Sequence, residues 1–386
     1  MKNLDCIIGG QLSNEISKDQ NSHKNLNKFE HNLETWRQLW RVVEKSNCIA
    51  IVVDSRFPHL TLADSLLKYL KSPIVNKYVI LILNKSDLIP VNTAAKLVNF
   101  YQTNKFYNKY IDKVVLFTSP KRDLKLSKKN FNFLKDNYHL GPADLLDCLQ
   151  EKFPFIENWK EADLNNCKIH NNETRDVGQE DNQATLDYQC NLGFLGFPNV
   201  GKSSVMNRLI GKKITRISST PGATKYFQTY FPENSKNIQL IDCPGLVFPA
   251  KNISFPEQIL AGSYPISQVQ EPYTTIGELL VNSNLLNELK LEKINKQEEN
   301  FNYDYSKITA WQVCELFSCQ KGFYTGKGGG TFDVYKAANK ILRSVVNGEY
   351  TCFTDLREDE GKYYDLTEYL ENLRESEKTY LEKVNW

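Results

Sequence analysis

The chain has 386 residues, 41% of them hydrophobic, which is enough to bury a core and long enough for two domains. A formal net charge of +2 supplies no global attraction to nucleic acid or membrane, so any RNA-binding surface must be local. Nine scattered cysteines without a CxxC pair argue against both a zinc site and a disulfide framework, and the apolar runs are far shorter than a membrane span.

Residues 1–30 are rich in Asn, Lys, Ser and Asp and read as a disordered tail, not a secretory signal. From residue 34 to 45, Trp36, Leu39, Trp40 and Val43 recur at helical spacing. An α/β alternation follows, with strands at 48–53, 78–83 and 114–118 and helices at 62–70, 93–106 and 143–153. Residues 157–189 are dominated by Asn, Gln, Asp and Glu and read as a flexible connector. A strand at 192–195, a helix at 204–209 and a strand at 238–241 complete the alternation. These elements predict an α/β domain over residues 31–249, a mostly parallel sheet with helices on both faces. Beyond Pro249 the pattern turns mainly helical, which places a domain boundary near 250 and a second domain over 250–386.

Three short motifs carry chemistry. Gly196-Phe197-Pro198-Asn199-Val200-Gly201-Lys202-Ser203 has the phosphate-loop spacing and lies between a predicted strand and a predicted helix that continues through Ser204. Its glycines permit backbone N–H groups to face phosphate oxygens, with Val200, Gly201 and Ser204 among the lining residues. Lys202 would neutralise the β- and γ-phosphates and Ser203 would ligate Mg²⁺. Asp242-Cys243-Pro244-Gly245 fits DxxG, with Asp242 for Mg²⁺ and the Gly245 amide for the γ-phosphate. Asn84-Lys85-Ser86-Asp87 fits NKxD, in which Asp87 accepts from guanine N1–H and the 2-amino group. The base-side loop falls at Phe117-Thr118-Ser119-Pro120. Pro120 has no N–H, so Ser119 is the expected donor to guanine O6, with Thr118 beside it. GTP and GDP are the expected ligands.

Three further positions bear on turnover. The Mg²⁺-sensing threonine of switch I lies within Ser219-Thr220-Pro221-Gly222-Ala223-Thr224; Thr224 is preferred, because Thr220 precedes a proline and suits a turn. After DxxG stands Leu246, which cannot hydrogen-bond a water, so intrinsic hydrolysis is expected to be slow. Asn199 occupies the phosphate-loop position typical of potassium-activated GTPases. Its side-chain oxygen would hold K⁺ against the phosphates, or the side chain caps its own loop.

The guanine motif precedes the phosphate loop, the reverse of the ordinary order, and this is the hallmark of circularly permuted GTPases. The stretches Glu34-Thr35-Trp36-Arg37-Gln38-Leu39-Trp40-Arg41-Val42, Asp54-Ser55-Arg56-Phe57-Pro58, the phosphate loop itself, Thr220 to Phe231, and Gln268-Val269-Gln270-Glu271-Pro272-Tyr273-Thr274 resemble the guanine nucleotide-binding protein-like 1 subfamily. More distantly the chain is similar to bacterial ribosome-biogenesis GTPase A. The resemblance spans roughly residues 34–350. It implies a Mg²⁺-dependent GTPase, stimulated by K⁺, acting with a pre-ribosomal particle or rRNA, in the nucleus, nucleolus or cytoplasm.

Lys336, Lys340 and Arg343 recur along one face of the predicted helix 332–346, opposite the stripe Val334, Ala338, Ile341 and Val345. They are the candidate phosphate contacts, or a solvated helix face. No lipidation motif stands at either end of the chain, so stable membrane anchoring is not expected; no stable oligomer is expected either.

Overall fold

The computed structural model describes residues 27–118, 134–154, 167–170, 190–210, 226–232, 238–250, 253–291, 303–326, 330–350 and 352–353. Seven strands form one sheet: β1 (Cys48–Asp54), β2 (Tyr78–Asn84), β3 (Lys113–Leu116), β4 (Cys167–His170), β5 (Cys190–Leu195), β6 (Gln228–Pro232) and β7 (Ile238–Asp242), ordered β3-β2-β1-β5-β7-β6-β4. The pairs β1–β2, β1–β5, β2–β3 and β5–β7 are parallel, whereas β6 is antiparallel to both β7 and β4. Every residue of β1 is buried, as a central parallel strand covered on both faces requires.

The helix α1 (Leu33–Lys45) starts where the Asn32 side chain accepts from the Glu34 N–H, and it buries Trp36, Leu39, Val42 and Val43 against the sheet. Helices α2 (Pro58–Thr61), α3 (Asp64–Leu70), α4 (Val91–Thr103), α5 (Tyr107–Tyr110) and α6 (Gly141–Lys152) connect or follow β1 to β3, and α7 (Lys202–Ile210) follows β5. The predicted α/β class and mostly parallel sheet stand. The remaining α-helices among the described residues are α8 (Phe255–Leu260), α9 (Tyr273–Asn282), α10 (Leu285–Leu289), α11 (Ala310–Lys321) and α12 (Val334–Val346). Their apolar faces form a second hydrophobic cluster, which also takes in Phe57 and Leu60 from the segment after β1.

Two expectations require correction. Part of the stretch read as a connector, residues 167–170, is an edge strand pairing with β6 from Cys167↔Pro232 to His170↔Thr229. Four alternating residues in a polar run carry too little apolar signal to be seen, and the tertiary partner supplies the strand. The rest of 157–189 lies outside the described residues. The tail read as disordered through residue 30 is ordered at its end. Asn27 donates from its backbone to Ala250 O and from its side chain to Phe248 O, and Glu30 donates to Val247 O. Asn27 is buried because its amide takes the place of a backbone partner. Residues 1–26 lie outside the described set.

Gly193 in β5 faces α1 so closely that a Cβ would collide with Ser46 Oγ and stand 3.0 Å from Val42 Cγ1. Gly193→Val is expected to lower stability by about 1–3 kcal/mol through overpacking. The urea midpoint of the full chain measures it, and a midpoint equal to the wild-type value would contradict this close packing of helix on strand.

Candidate nucleotide site

The guanine motif begins at the last residue of β2. Asn84 stands in register with Asp54, the last residue of β1. From there its side-chain Nδ2 donates to Val200 O in the phosphate loop at 2.7 Å. Two motifs far apart in the chain are thereby joined directly. Lys85 adopts the left-handed conformation, φ 61°, and turns the chain into a single helical turn, Ser86–Leu88, that holds Asp87 buried. Both the N–H and the hydroxyl of Ser86 donate to Phe117 O, at 3.1 and 2.9 Å, so the base-side loop is tied to the guanine motif. Thr118 is buried there. Arg208 of α7 donates to Thr118 O at 2.9 Å and to its hydroxyl at 3.1 Å, with its guanidinium over the Phe117 ring. Ser119 lies outside the described residues.

The phosphate loop leaves β5 through Gly196, φ 148°, where a Cβ would strike Val52 O. It enters α7 through Gly201, φ 98°, where a Cβ would strike the Asn84 amide. Both positions thus require glycine for backbone conformation and for space. Helix α7 begins at Lys202, so the N–H groups of Gly201, Lys202 and Ser203 stand at its start, where an anion is favoured, whereas the Ser204 N–H donates to Gly201 O at 3.0 Å. Lys202 Nζ donates to Gly196 O and Phe197 O at 3.0 and 2.8 Å. Burial lowers its pKa, and neighbouring Asp242 opposes that shift.

Ser203 Oγ donates to Asp242 Oδ2 at 3.2 Å. The other oxygen, Asp242 Oδ1, is buried with no hydrogen-bond partner among the described residues. A hydroxyl and a carboxylate with an uncommitted buried oxygen suit Mg²⁺, which takes one or two protein oxygens and completes its shell from phosphates and water. Burial pushes the Asp242 carboxyl up to about 6, against the pull of Lys202 and Ser203. Gly245 closes the site: a Cβ there would stand 2.8 Å from Pro198 Cα and 3.1 Å from Lys202 Nζ. The Leu246 side chain turns into the main core with Phe197 and Phe248. Thr224 and Thr220 lie outside the described residues.

Asn199 has φ 60°, and its Nδ2 donates to Gly262 O at 2.9 Å. This bond to a residue 63 positions later is neither of the two roles expected from sequence. Its partner is a carbonyl, so the nitrogen must face it; the amide oxygen, the atom K⁺ requires, is not used by that bond.

Sequence reasoning missed Arg208, although a cation on the helix after a phosphate loop is a searchable signal. It also missed the carboxylate of Asp54, which receives Lys85 Nζ at 2.7 Å and Arg56 Nη2 at 2.8 Å. Burial alone would raise the Asp54 pKa, but Arg56 and Lys85 beside it hold the carboxyl well below the usual range. Lys336, Lys340 and Arg343 are exposed on α12. Lys336 lies over the Phe323 ring, and Lys340 pairs with Glu349 at 3.1 Å.

The elevated Asp242 pKa sets a pH dependence. Protonation below about pH 6 removes the carboxylate that Mg²⁺ needs, so the apparent Mg²⁺ affinity should rise about fourfold between pH 5.5 and pH 7. Titration of Mg²⁺ against a fluorescent GDP complex measures this rise, and Asp242→Asn should flatten it.

A family model described as 50S ribosome-binding GTPase matches residues 191–304. Guanine nucleotide-binding protein-like 1 of Mus musculus is 34% identical over 363 residues, 85% of this chain and 58% of its own length. The Homo sapiens protein of that name is 34% identical over 86% of this chain and 58% of its own length. GTPase LSG1-2 of Arabidopsis thaliana is 32% identical over 86% of this chain and 56% of its own length. The chain thus spans rather more than half the length of the curated relatives it matches. With a guanine motif, phosphate loop and DxxG brought to one end of a parallel sheet, the chain is similar over most of its length to guanine nucleotide-binding protein-like 1, and its residues 191–304 match a GTPase family model.

Proposed function

We propose that the chain binds GTP and hydrolyses it to GDP and phosphate with Mg²⁺, is stimulated by K⁺, and serves as a nucleotide-switched factor in ribosome assembly. The observation that carries this reading is the 2.7 Å bond from Asn84 to Val200 O, which brings base recognition and phosphate binding into one site. The chain is read as a circular permutation. Taken from Cys190 to about residue 250 and then from Cys48 to about 153, its motifs fall into ordinary order. The family model agrees with that reading, since its match contains the phosphate loop and DxxG while the guanine motif lies upstream.

Within the site, Asp87 selects guanine, and Thr118 with Ser119 forms the loop over its O6 edge. The loop amides and Lys202 hold the phosphates, and Ser203, Asp242 and Thr224 hold Mg²⁺, which neutralises charge developing on the β- and γ-phosphate oxygens. Asn199 holds K⁺ through its amide oxygen. Gly245 responds to the γ-phosphate and is joined through Leu246 to Pro249 with the helical domain over 250–386, so the nucleotide state passes down the chain. The ribosomal setting rests on the names of the matched family and on the cations Lys336, Lys340 and Arg343, which face solvent where rRNA phosphates would bind. A nuclear, nucleolar or cytoplasmic location accords with that setting.

One observation favours a second reading, a GTP-binding scaffold with negligible turnover: Leu246 is buried and offers no group to orient water. Turnover assays separate the two. Replacing Na⁺ by K⁺ should raise steady-state hydrolysis about tenfold or more, and Asn199→Ala should remove that gain. Hydrolysis equal in both salts would remove K⁺ from the mechanism, and none in either would favour the scaffold. Sedimentation of tagged protein in cell lysate tests the setting. Comigration with pre-ribosomal particles that depends on nucleotide and is lost in Lys202→Ala is expected; migration only at the top of the gradient in every state would overturn the ribosomal role.

A further inference from the structure

Both oxygens of one buried carboxylate are committed to two different parts of the molecule. Asp54 Oδ1 accepts the Arg56 N–H at 3.1 Å and its Nε at 3.0 Å, while Oδ2 accepts Arg56 Nη2 at 2.8 Å and Lys85 Nζ at 2.7 Å. Arg56 is 1% exposed and is the largest fully buried side chain among the described residues. Beyond Asp54 its guanidinium donates from Nη1 to Val345 O and from Nη2 to Val346 O at 3.1 Å. Those carbonyls belong to the last turn of α12, where orphan acceptors and the negative end of the helix dipole favour a cation. Phe57 and Leu60, which follow Arg56, pack into the same helical cluster.

Lys85 and Arg56 therefore meet at one charge. Lys85 belongs to the guanine motif, holds a left-handed turn and stands two residues before Asp87. Arg56 seats the C-terminus of α12. A pair of cations on a shared buried carboxylate is strongly geometry-dependent, because displacing either leaves the others imperfectly compensated in a poorly solvated place.

We propose that Asp54 and Arg56 are positioning residues that make the order of the guanine loop and the seating of α12 depend on each other. A bound guanine base fixes the loop around Asp87 and with it Lys85. Lys85 fixes the Asp54 carboxylate, and Asp54 fixes the Arg56 fork on the helix end. By linkage, seating α12 strengthens guanine nucleotide binding by the same factor. This route starts at the base and is blind to the γ-phosphate, so it answers GDP and GTP alike; the chain connection through Leu246 answers GTP alone. The inference rests on guanine nucleotide occupying the loop from Asn84 to Asp87, and not on the ribosomal role.

Hydrogen exchange of the full chain tests it, with fluorescent-GDP binding measured on the same samples. In the wild type, GDP should slow amide exchange in α12 by about fivefold, and a non-hydrolysable GTP analogue should slow it by at least as much. Arg56→Lys keeps the charge and loses the fork; it should still bind GDP, yet α12 should respond by less than about twofold. An α12 that ignores GDP in the wild type, or that responds fully in Arg56→Lys, overturns the proposal. A response to the analogue only assigns α12 to the γ-phosphate route and overturns it as well. If Arg56→Lys does not fold, the wild-type comparison of GDP with the analogue decides. Absence of GDP binding in the wild type would instead remove the guanine site itself, a result distinct from failure to sediment with particles.

Discussion

Strands β1 and β2 end together, Asp54 opposite Asn84, and from that shared edge both residues reach sideways. Asn84 crosses to the phosphate loop and Asp54 gathers Lys85 and Arg56. The parallel register decides both contacts. A slip of one residue between β1 and β2 would invert every side chain on the moving strand, sending the amide or the carboxylate to the opposite face. Complete burial of β1 and near-complete burial of β2 hold the register, because a slip would also strand their polar ends in the core. The nucleotide site thus depends on an apolar sheet core that touches no nucleotide.

Around this edge the loops support one another through side chains. Asn84 fills the space beside Gly201, Arg208 steadies Thr118 from the helix behind the phosphate loop, and Gly245 lies against Pro198. The segment leaving DxxG is braced from the other side by Asn27 and Glu30. A Trp36–Phe248 edge contact at 5.3 Å fastens the same stretch to α1. The segment from Leu246 to Pro249 thus leaves DxxG within a clamp made by residues more than two hundred positions earlier.

The sheet core and the three motifs were legible because each is a local demand. A phosphate loop needs glycine at Gly196 and Gly201 for conformations that other residues resist, and buried parallel strands need unbroken apolar runs. What escaped was set by partners distant in the chain. Asn27 reads as part of a polar tail until residues 247–250 are placed beside it. Strand β4 is too short and mixed to declare itself. Asn199 was expected to face an ion or its own loop, yet its nitrogen turns to Gly262, a contact no spacing rule contains. Asp54 and Arg56 were recognised as an element without their link to Lys85, because charge complementarity across thirty residues has no periodic signature.

The strand order also shapes how the chain acquires its fold. β1 sits between β2 and β5, but β5 begins at Cys190 and β1 ends at Asp54. During synthesis β1, β2 and β3 emerge first, and the β1 edge at Cys48-Ile49-Ala50-Ile51 stays unpaired until β5 follows. At ordinary elongation rates that wait is on the order of ten seconds, long compared with hairpin formation or collapse. A flat apolar edge exposed for so long invites pairing with other nascent chains. The strand order therefore carries a kinetic burden that ends when β5 pairs with Cys48 to Ile51.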